Sequence, residues 1–261
     1  MPTSGNIYYL SYQQEKVDAP PVVLIHGAAG NHLSWPPEVR RMPGFRVYAI
    51  DLPGHGKSKA YGGQQNIGDY GERVLGWMEI IGLRRAVFIG HSMGSAIALA
   101  LAIHHPDHVV GLGLLGAGVR LRVHPTLLES SSSATTYYRA LEMLVTWSFS
   151  SHAAPRLLNL VGQRMSETRQ SVLYGDLMAC NEFDVMDRVS EVRQPTLVVC
   201  GADDTMTPLR YSKYLASAIH NARLEVIPEA GHMVMLEQPQ AVTNVMLSFL
   251  QSLSYLPGKG S

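Results

Sequence analysis

Four short apolar segments constrain the fold of this chain most strongly, and they lie at residues 22–25, 47–50, 86–89 and 197–200. Each contains β-branched residues and is followed within four positions by glycine. Such segments are typical of parallel strands that are buried on both faces of a sheet. Segments 109–115 and 223–227 are weaker candidates, and residues 7–13 are expected to enter the sheet first, as an antiparallel edge strand.

The stretches between these segments have the apolar spacing of helices, at residues 69–81, 93–104, 209–219 and 240–253. The first of them opens with Asp69 and Glu72, which match a capping box. Alternation of strands and helices predicts an α/β fold, with a doubly wound, mostly parallel sheet that carries helices on both faces.

Residues 119–185 break this alternation, because they contain no strand-like run. Their apolar spacing predicts three or four short helices, with a turn or linker at residues 130–133. We therefore expect a core domain formed by residues 1–118 and 186–261. Residues 119–185 would form a helical cap over the carboxyl ends of the strands, which is where ligands bind in such sheets.

Charge and composition exclude several classes of protein. The 21 lysines and arginines balance the 21 aspartates and glutamates, so a nucleic-acid partner, which needs a basic surface, is not expected. No apolar stretch reaches the ~18–20 residues of a membrane span, and the first 14 residues lack the pattern of a signal peptide. The two cysteines, Cys180 and Cys200, give neither a disulfide framework nor a zinc site. We expect a cytoplasmic protein with a small-molecule substrate.

The strongest chemical signal is at residues 90–94, Gly-His-Ser-Met-Gly, a G-x-S-x-G motif between strand 86–89 and helix 93–104. A tight turn between a strand and a helix is the setting of a nucleophile elbow, in which the serine hydroxyl projects above the sheet. Glycine at both ends of the motif relieves crowding of the backbone in this turn. We predict that Ser92 is a nucleophile.

A serine hydroxyl needs a base that accepts its proton. His232, in the loop between segment 223–227 and the last helix, has the chain position expected of this base. A carboxylate then orients the histidine. The loop after strand 197–200 offers Asp204, which we favour, and Asp203, which stays open as the alternative.

An acyl-transfer site also needs hydrogen-bond donors for the negative oxygen that develops in the reaction. The backbone N–H of Met93, at the start of the elbow helix, is one predicted donor. The loop at residues 26–30, His-Gly-Ala-Ala-Gly, supplies the other, for which we predict the N–H of Ala28. His26 is expected to brace this loop by hydrogen bonding.

With these motifs in this order, the chain resembles the α/β-hydrolase superfamily. Five motifs carry the resemblance, at residues 26–30, 51–58, 90–94, 201–208 and 231–232. The resemblance implies a Ser–His–Asp triad, no metal, no organic cofactor and a variable helical cap that shapes the substrate pocket. Asp51 and His55, in the second motif, are expected to brace the turn that follows strand 47–50.

The residues around the elbow separate the branches of this superfamily. Haloalkane dehalogenases and epoxide hydrolases place aspartate at the position of Ser92, which excludes them. The C–C hydrolases of meta-cleavage products commonly have asparagine before the nucleophile, where this chain has His91. Carboxylesterases, monoacylglycerol lipases and acyl-homoserine lactone hydrolases stay compatible. A ligand receptor that keeps the triad but turns over slowly is the alternative outside the enzymes.

The cap contains candidate substrate contacts at Tyr137, Leu141, Leu144 and Trp147. These side chains would give a largely apolar pocket, although their helical spacing is also typical of the core of the cap itself. We predict a serine hydrolase that cleaves carboxylic esters of small, largely apolar substrates through an acyl-enzyme intermediate. Lactone hydrolysis, such as that of acyl-homoserine lactones, and C–C bond hydrolysis or perhydrolysis on the same triad are the alternatives.

Overall fold

The computed structural model describes residues 3–12 and 19–254 and contains one mostly parallel sheet. Its strands are β1 (Thr3–Ser4), β2 (Ile7–Tyr12), β3 (Val22–Ile25), β4 (Val47–Asp51), β5 (Ala86–His91), β6 (Val109–Leu115), β7 (Thr196–Gly201) and β8 (Ala222–Ile227). They lie in the order β1-β2-β4-β3-β5-β6-β7-β8. β2 pairs antiparallel with β1 and β4, and every later pair is parallel. Gln13, predicted to end the edge strand, lies outside the described residues.

Helices cover both faces of this sheet, which confirms the predicted α/β class. The helices are α1 (Pro37–Arg40), α2 (Ile67–Ile80), α3 (Met93–His104), α4 (Pro125–Ser131), α5 (Tyr137–Ser148), α6 (Pro155–Met165), α7 (Gln170–Glu182), α8 (Leu209–Ala218), α9 (Val234–Glu237) and α10 (Pro239–Ser254). Successive residues of a strand point to opposite faces. Val23 and Ile25 accordingly pack in the cluster that includes α2 and α3, whereas Val22 and Leu24 pack in the cluster that includes α1 and α10.

The start of α2 differs from the sequence prediction. The helix begins at Ile67, and its N-cap is Asn66, whose side-chain oxygen accepts a hydrogen bond from the N–H of Asp69 at 3.0 Å. The capping box predicted at Asp69 and Glu72 is therefore wrong. Asparagine is among the residues that cap helices best. Because Asn66 already caps the helix and binds the N–H of Asp69, Asp69 lies inside the first turn and is not the cap.

Four helices, α4 to α7, form the insertion between β6 and β7, and an antiparallel bridge between Arg120 and Asp184 joins the two ends of the insertion. The turn predicted at residues 130–133 begins later than expected, because α4 continues to Ser131. The Ser131 hydroxyl donates to the carbonyl of Leu128 at 2.8 Å, a bond that lets serine stay within a helix. In the described part of the chain, no helix has both the length and the apolar character needed to cross a membrane.

Candidate active site

Ser92 lies in the tight turn between β5 and α3, with φ 53° and ψ −117°. Its backbone N–H donates to the carbonyl of Leu115 at 2.9 Å, which fixes the turn above the sheet. A Cβ atom at Gly90 would lie 2.1 Å from the carbonyl oxygen of Gly94, and one at Gly94 would lie 2.2 Å from that of Ile25. The close backbone approach therefore requires glycine at both positions, as the motif predicted.

His232 lies in the loop that follows β8, and its Nδ1 is 2.9 Å from Oδ2 of Asp204. Both side chains are buried. Because a carboxylate accepts, Nδ1–H of His232 donates to Asp204, and in the neutral form of the ring Nε2 is then the nitrogen without hydrogen. Nε2 is buried and has no hydrogen-bond partner among the described residues. His232 and Ser92 line the same cavity.

Asp204, rather than Asp203, is the carboxylate that the fold brings to His232. Asp204 accepts hydrogen bonds from the N–H groups of Met206 at 2.9 Å and Thr207 at 2.8 Å, and from the Thr207 hydroxyl at 2.7 Å. Burial alone would raise the pKa of Asp204, but the charge of His232 and these hydrogen bonds outweigh it and lower the pKa. The Asp203 side chain is 46% exposed, and its carboxylate lies 4.0 Å from His152.

The two predicted oxyanion donors are Met93, which directly follows Ser92, and Ala28, in the loop after β3. Met93 is the first residue of α3, so its N–H has no acceptor within the helix. Ala28 lines the cavity that contains Ser92. No described residue offers a hydrogen-bond acceptor to the N–H of Ala28. Both N–H groups are therefore available to a developing negative charge.

We call residues 26–30 the oxyanion loop, after the predicted donor Ala28. His26 braces this loop, as its sequence position predicted. Its Nδ1–H donates to the carbonyl of Gly27 at 2.8 Å, and its Nε2 accepts from the N–H of Leu52 at 3.0 Å. Burial, reinforced by the charge of His55, lowers the pKa of His26 to about 4. The ring is therefore neutral near pH 7, and both of its nitrogens are used in holding two loops together.

His91 adjoins Ser92 in the chain and holds the loop that carries His232. Its Nε2–H donates to the backbone carbonyl of His232 at 2.9 Å, and the two rings lie 4.8 Å apart. Burial lowers the pKa of His91 to about 3. A neutral ring at this position places no positive charge beside the proposed base.

Two residues that the sequence analysis missed affect the position of His232. Gly116 leaves room for its ring, and Glu237 binds the loop that carries it. Gly116, directly after β6, has φ +54°, and a Cβ there would lie 2.8 Å from Cε1 and 2.9 Å from Nδ1 of His232. Glu237 accepts from the N–H of Gly231 at 2.8 Å and from the N–H of Ser150, in the insertion, at 2.9 Å. A glycine directly after a strand was the available signal for Gly116, whereas nothing in the sequence distinguishes Glu237.

We expect Gly116→Ala to lower kcat roughly 100-fold, because a displacement of about 1 Å at a catalytic group can cost that much. The new methyl group would occupy space that the His232 ring fills. Gly82→Ala is the matched control, since Gly82 also has positive φ, at +73°, but a Cβ there meets no atom within 4 Å. Steady-state kinetics of both variants test the expectation, and equal kcat values would contradict it.

The cavity beside Ser92 has a volume of about 580 Å³ and lies between the sheet and the insertion. Its wall is mainly apolar and includes Leu127, Leu144, Trp147, Met165, Leu177 and Met206. None of the described residues that line it is acidic, and Arg122 is the one lysine or arginine among them. The Arg122 guanidinium donates to the carbonyl of Asn181 at 2.7 Å and lies 3.5 Å from the carboxylate of Asp184, which Arg120 contacts more closely, at 2.6 Å.

The predicted cap contacts divide into two pairs. Leu144 and Trp147, near the end of α5, line the cavity. Tyr137 and Leu141, near its start, are buried but are not among the lining residues. The Tyr137 hydroxyl donates to the carbonyl of Thr168, within the insertion. The start of α5 therefore packs within the insertion, and only the end of α5 faces the cavity.

The described residues contain no group of three or more histidine, cysteine, aspartate or glutamate side chains arranged to hold a metal ion. Cys180 and Cys200 are both buried and form no disulfide. Burial raises the pKa of the Cys200 thiol to about 11. A thiol with so high a pKa is unreactive, because the thiolate is the reactive form.

Comparisons with known proteins agree with this fold. A family model described as alpha/beta hydrolase fold matches residues 20–239. A 2-hydroxy-6-oxononadienedioate/2-hydroxy-6-oxononatrienedioate hydrolase from Burkholderia vietnamiensis is 28% identical over 251 residues, which cover 88% of this chain and 86% of that protein. A pimeloyl-(acyl-carrier protein) methyl ester esterase from Pectobacterium carotovorum is 26% identical over 257 residues, which cover 93% and 99%.

Among solved structures, the enol-lactonase from Burkholderia xenovorans LB400 is similar to this chain with a TM-score of 0.87. It is 25% identical in sequence, and the match covers 94% of this chain and 96% of the enol-lactonase. These three proteins are named for different substrates, so the likeness extends to the fold and to hydrolysis but leaves the substrate open.

Proposed function

Because this chain belongs to the alpha/beta hydrolase fold family, we propose that it is a serine hydrolase that cleaves carboxylic esters of small, largely apolar substrates. One observation carries the proposal. His232 is hydrogen-bonded through Nδ1 to Asp204, its Nε2 is buried with no partner among the described residues, and His232 and Ser92 line the same cavity. This is the arrangement in which a histidine can act as a base toward a serine hydroxyl.

In the first half of the proposed reaction, Nε2 of His232 takes the proton of the Ser92 hydroxyl while Oγ attacks the ester carbonyl carbon. The N–H groups of Ala28 and Met93 stabilise the negative oxygen of the tetrahedral intermediate. The intermediate collapses by breaking the bond to the alcohol oxygen, which takes the proton from His232. An acyl-enzyme on Ser92 and a free alcohol result.

In the second half, His232 takes a proton from water, and the water oxygen attacks the acyl carbon. Collapse of the second tetrahedral intermediate breaks the bond to Ser92, whose Oγ recovers the proton from His232. Neither Ser92 Oγ nor His232 Nε2 has a hydrogen-bond partner among the described residues. Catalytic hydrogen bonds are often long or poorly aligned until substrate binds, so this geometry is compatible with the proposal.

The cavity supports the proposed class of substrate. Its volume of about 580 Å³ lies in the range of roughly 300–1,000 Å³ that is typical of small-molecule sites. Its mainly apolar wall, which contains no acidic residue among those described, favours a neutral acyl group over a charged one. A lactone is a cyclic ester, and the similarity to the enol-lactonase makes lactone hydrolysis the second candidate.

A substrate panel tests the proposed function. We expect p-nitrophenyl acetate, butyrate and octanoate to be hydrolysed with a kcat/KM at least tenfold above that of a p-nitrophenyl ester with an acidic acyl chain. The reaction should begin with a stoichiometric burst of p-nitrophenol, the kinetic sign of an acyl-enzyme. A serine-directed organophosphate should label the protein once and abolish the burst.

Three further outcomes of the panel would change the assignment. Preference for γ-lactones or acyl-homoserine lactones over the open esters would favour lactone hydrolysis. Turnover of a 2-hydroxy-6-oxo dienoate, with no ester hydrolysis, would favour C–C bond hydrolysis. Stoichiometric capture of ligand with very slow turnover would contradict an enzyme and favour a receptor.

A further inference from the structure

Asp176, on α7 of the insertion, is a fully buried carboxylate that the proposed reaction does not use. Its Oδ1 accepts a hydrogen bond from the hydroxyl of Tyr70 at 2.7 Å. Its Oδ2 accepts from the backbone N–H of Ala29 at 3.1 Å and lies 2.8 Å from Nε2 of His55. One side chain of the insertion thus contacts three segments of the core that are distant in the sequence.

The contact with His55 is an ion pair. Nδ1 of His55 lies 3.1 Å from the carbonyl of Pro53, and Nε2 faces the Asp176 carboxylate, so both ring nitrogens face acceptors and both carry hydrogen. Burial alone would lower the pKa of His55, but the charge and hydrogen bond of Asp176 outweigh it and raise the pKa. A buried charge is costly without its partner, which keeps Asp176 oriented toward the core.

The contact with Ala29 reaches the oxyanion loop itself. Ala29 has φ 52°, a left-handed conformation that is unfavourable for a residue with a side chain. Its carbonyl accepts a second hydrogen bond from the insertion, from the hydroxyl of Thr168 at 3.3 Å. The peptide groups on both sides of Ala29 are therefore held by the insertion, and the residue before it is Ala28, the proposed oxyanion donor.

We propose that Asp176, assisted by Thr168, is a positioning residue that holds the oxyanion loop in its left-handed conformation and so aims the N–H of Ala28 at the reacting carbonyl oxygen. This inference rests on the proposed serine hydrolase function. It assigns the insertion a part in catalysis as well as in lining the cavity. The oxyanion hole would be complete only when α7 is docked on the core.

Asp176→Ala and Asp176→Asn test the proposal together. Alanine removes both acceptors, and we expect kcat on p-nitrophenyl butyrate to fall by 10- to 100-fold with KM changed less than threefold. Asparagine loses the ion pair with His55, but its carbonyl oxygen can still accept from the N–H groups of Ala29 and His55. Its amino group can face the Tyr70 oxygen, so it should recover most of kcat. A trifluoromethyl ketone, which forms a tetrahedral adduct with the serine, should bind Asp176→Ala more weakly by the factor lost from kcat/KM.

A purely structural role for Asp176 predicts a different result. Asp176→Ala would then be less stable but, well below its melting temperature, would keep its kcat and its affinity for the ketone, and that outcome overturns the proposal. Val22→Ala is the control for lost stability alone, because Val22 is fully buried at the amino end of β3, opposite the site. Val22→Ala should have a lower melting temperature than the wild type and an unchanged kcat.

Two further outcomes are informative. If Asp176→Ala does not fold, Thr168→Val takes its place, because it removes the other side-chain hydrogen bond to Ala29 with little change in volume. A kcat within twofold of wild type in that variant would overturn the proposal. Turnover by the wild type separates failure of this inference from failure of the proposed function. If the wild type hydrolyses neither esters nor lactones, the proposed function and the positioning role of Asp176 are both wrong.

Discussion

Ser92→Ala is expected to fold like the wild type and to lose roughly 10⁶-fold in kcat on a p-nitrophenyl ester, the loss typical of a triad enzyme without its nucleophile. The Ser92 hydroxyl has no hydrogen-bond partner among the described residues, so its removal breaks no stabilising contact. Alanine keeps the Cβ and therefore the same positive-φ strain at this turn. The free energy of unfolding measured in urea should stay within about 0.5 kcal/mol of wild type.

The comparison with Ser217→Ala controls for loss of a serine hydroxyl as such. Ser217 is exposed on α8, and its hydroxyl donates to the carbonyl of Tyr214 at 2.8 Å, so this variant should keep wild-type kinetics and organophosphate labelling. Ser92→Ala should lose the label entirely. More than about 1% of wild-type turnover in freshly purified Ser92→Ala protein would exclude Ser92 as the nucleophile.

The parallel strands could be predicted from the sequence because each contains a run of apolar residues that are buried on both faces. Their ends could not, since backbone pairing continues into residues whose side chains give no apolar signal. β4 includes Asp51, and β5 includes Gly90 and His91. The hairpin of β1 with β2 was also missed, because β1 has only two residues.

Local sequence motifs predicted individual residues of the site, whereas contacts between residues distant in the sequence could not be predicted. Motifs at strand ends placed Ser92, Asp204 and His232, because the carboxyl ends of parallel strands meet at one edge of the sheet. Contacts made by the insertion had no such signal. Asp176 lies in the middle of a helix and 147 residues from Ala29, which its carboxylate contacts, and no local pattern predicts such a pair.

The wall of the cavity shows the limit of helical periodicity. Tyr137, Leu141 and Leu144 share one face of α5, and spacing alone predicted the same role for all of them. In the structure, the first two pack within the insertion and the third reaches the cavity. An apolar helical face reports burial, whereas the distinction between a packed core and a cavity depends on what lies opposite, in α4, α6 and α7.

Asp204→Asn is expected to lower kcat by roughly 10⁴-fold, as in other triads whose aspartate is replaced by asparagine. Asp204 accepts Nδ1–H of His232 and so keeps Nε2 free of its proton. An amide can instead donate to Nδ1, which favours the tautomer with the proton on Nε2 and leaves no base for Ser92. KM should change little, because Asp204 is not among the residues that line the cavity.

The same substitution should change the pH dependence of stability in acid. The pKa of Asp204 is lowered in the folded protein, chiefly by His232 and Thr207 against the opposing effect of burial. Its ionised form therefore stabilises the fold above the unfolded-state pKa of about 3.9, and this contribution is lost as the pH falls through the lower folded-state pKa. The wild type should exceed Asp204→Asn in unfolding free energy near pH 6, and the difference should shrink below about pH 4.

Asp203→Asn separates the two adjacent carboxylates by the same chemistry. The Asp203 side chain is 46% exposed, and its carboxylate lies 4.0 Å from the His152 ring, a distance at which an exposed pair contributes little. We therefore expect wild-type kcat for this variant. A loss near 10⁴-fold in Asp203→Asn, with Asp204→Asn active, would mean that the working enzyme exchanges their roles by rearranging the loop after β7.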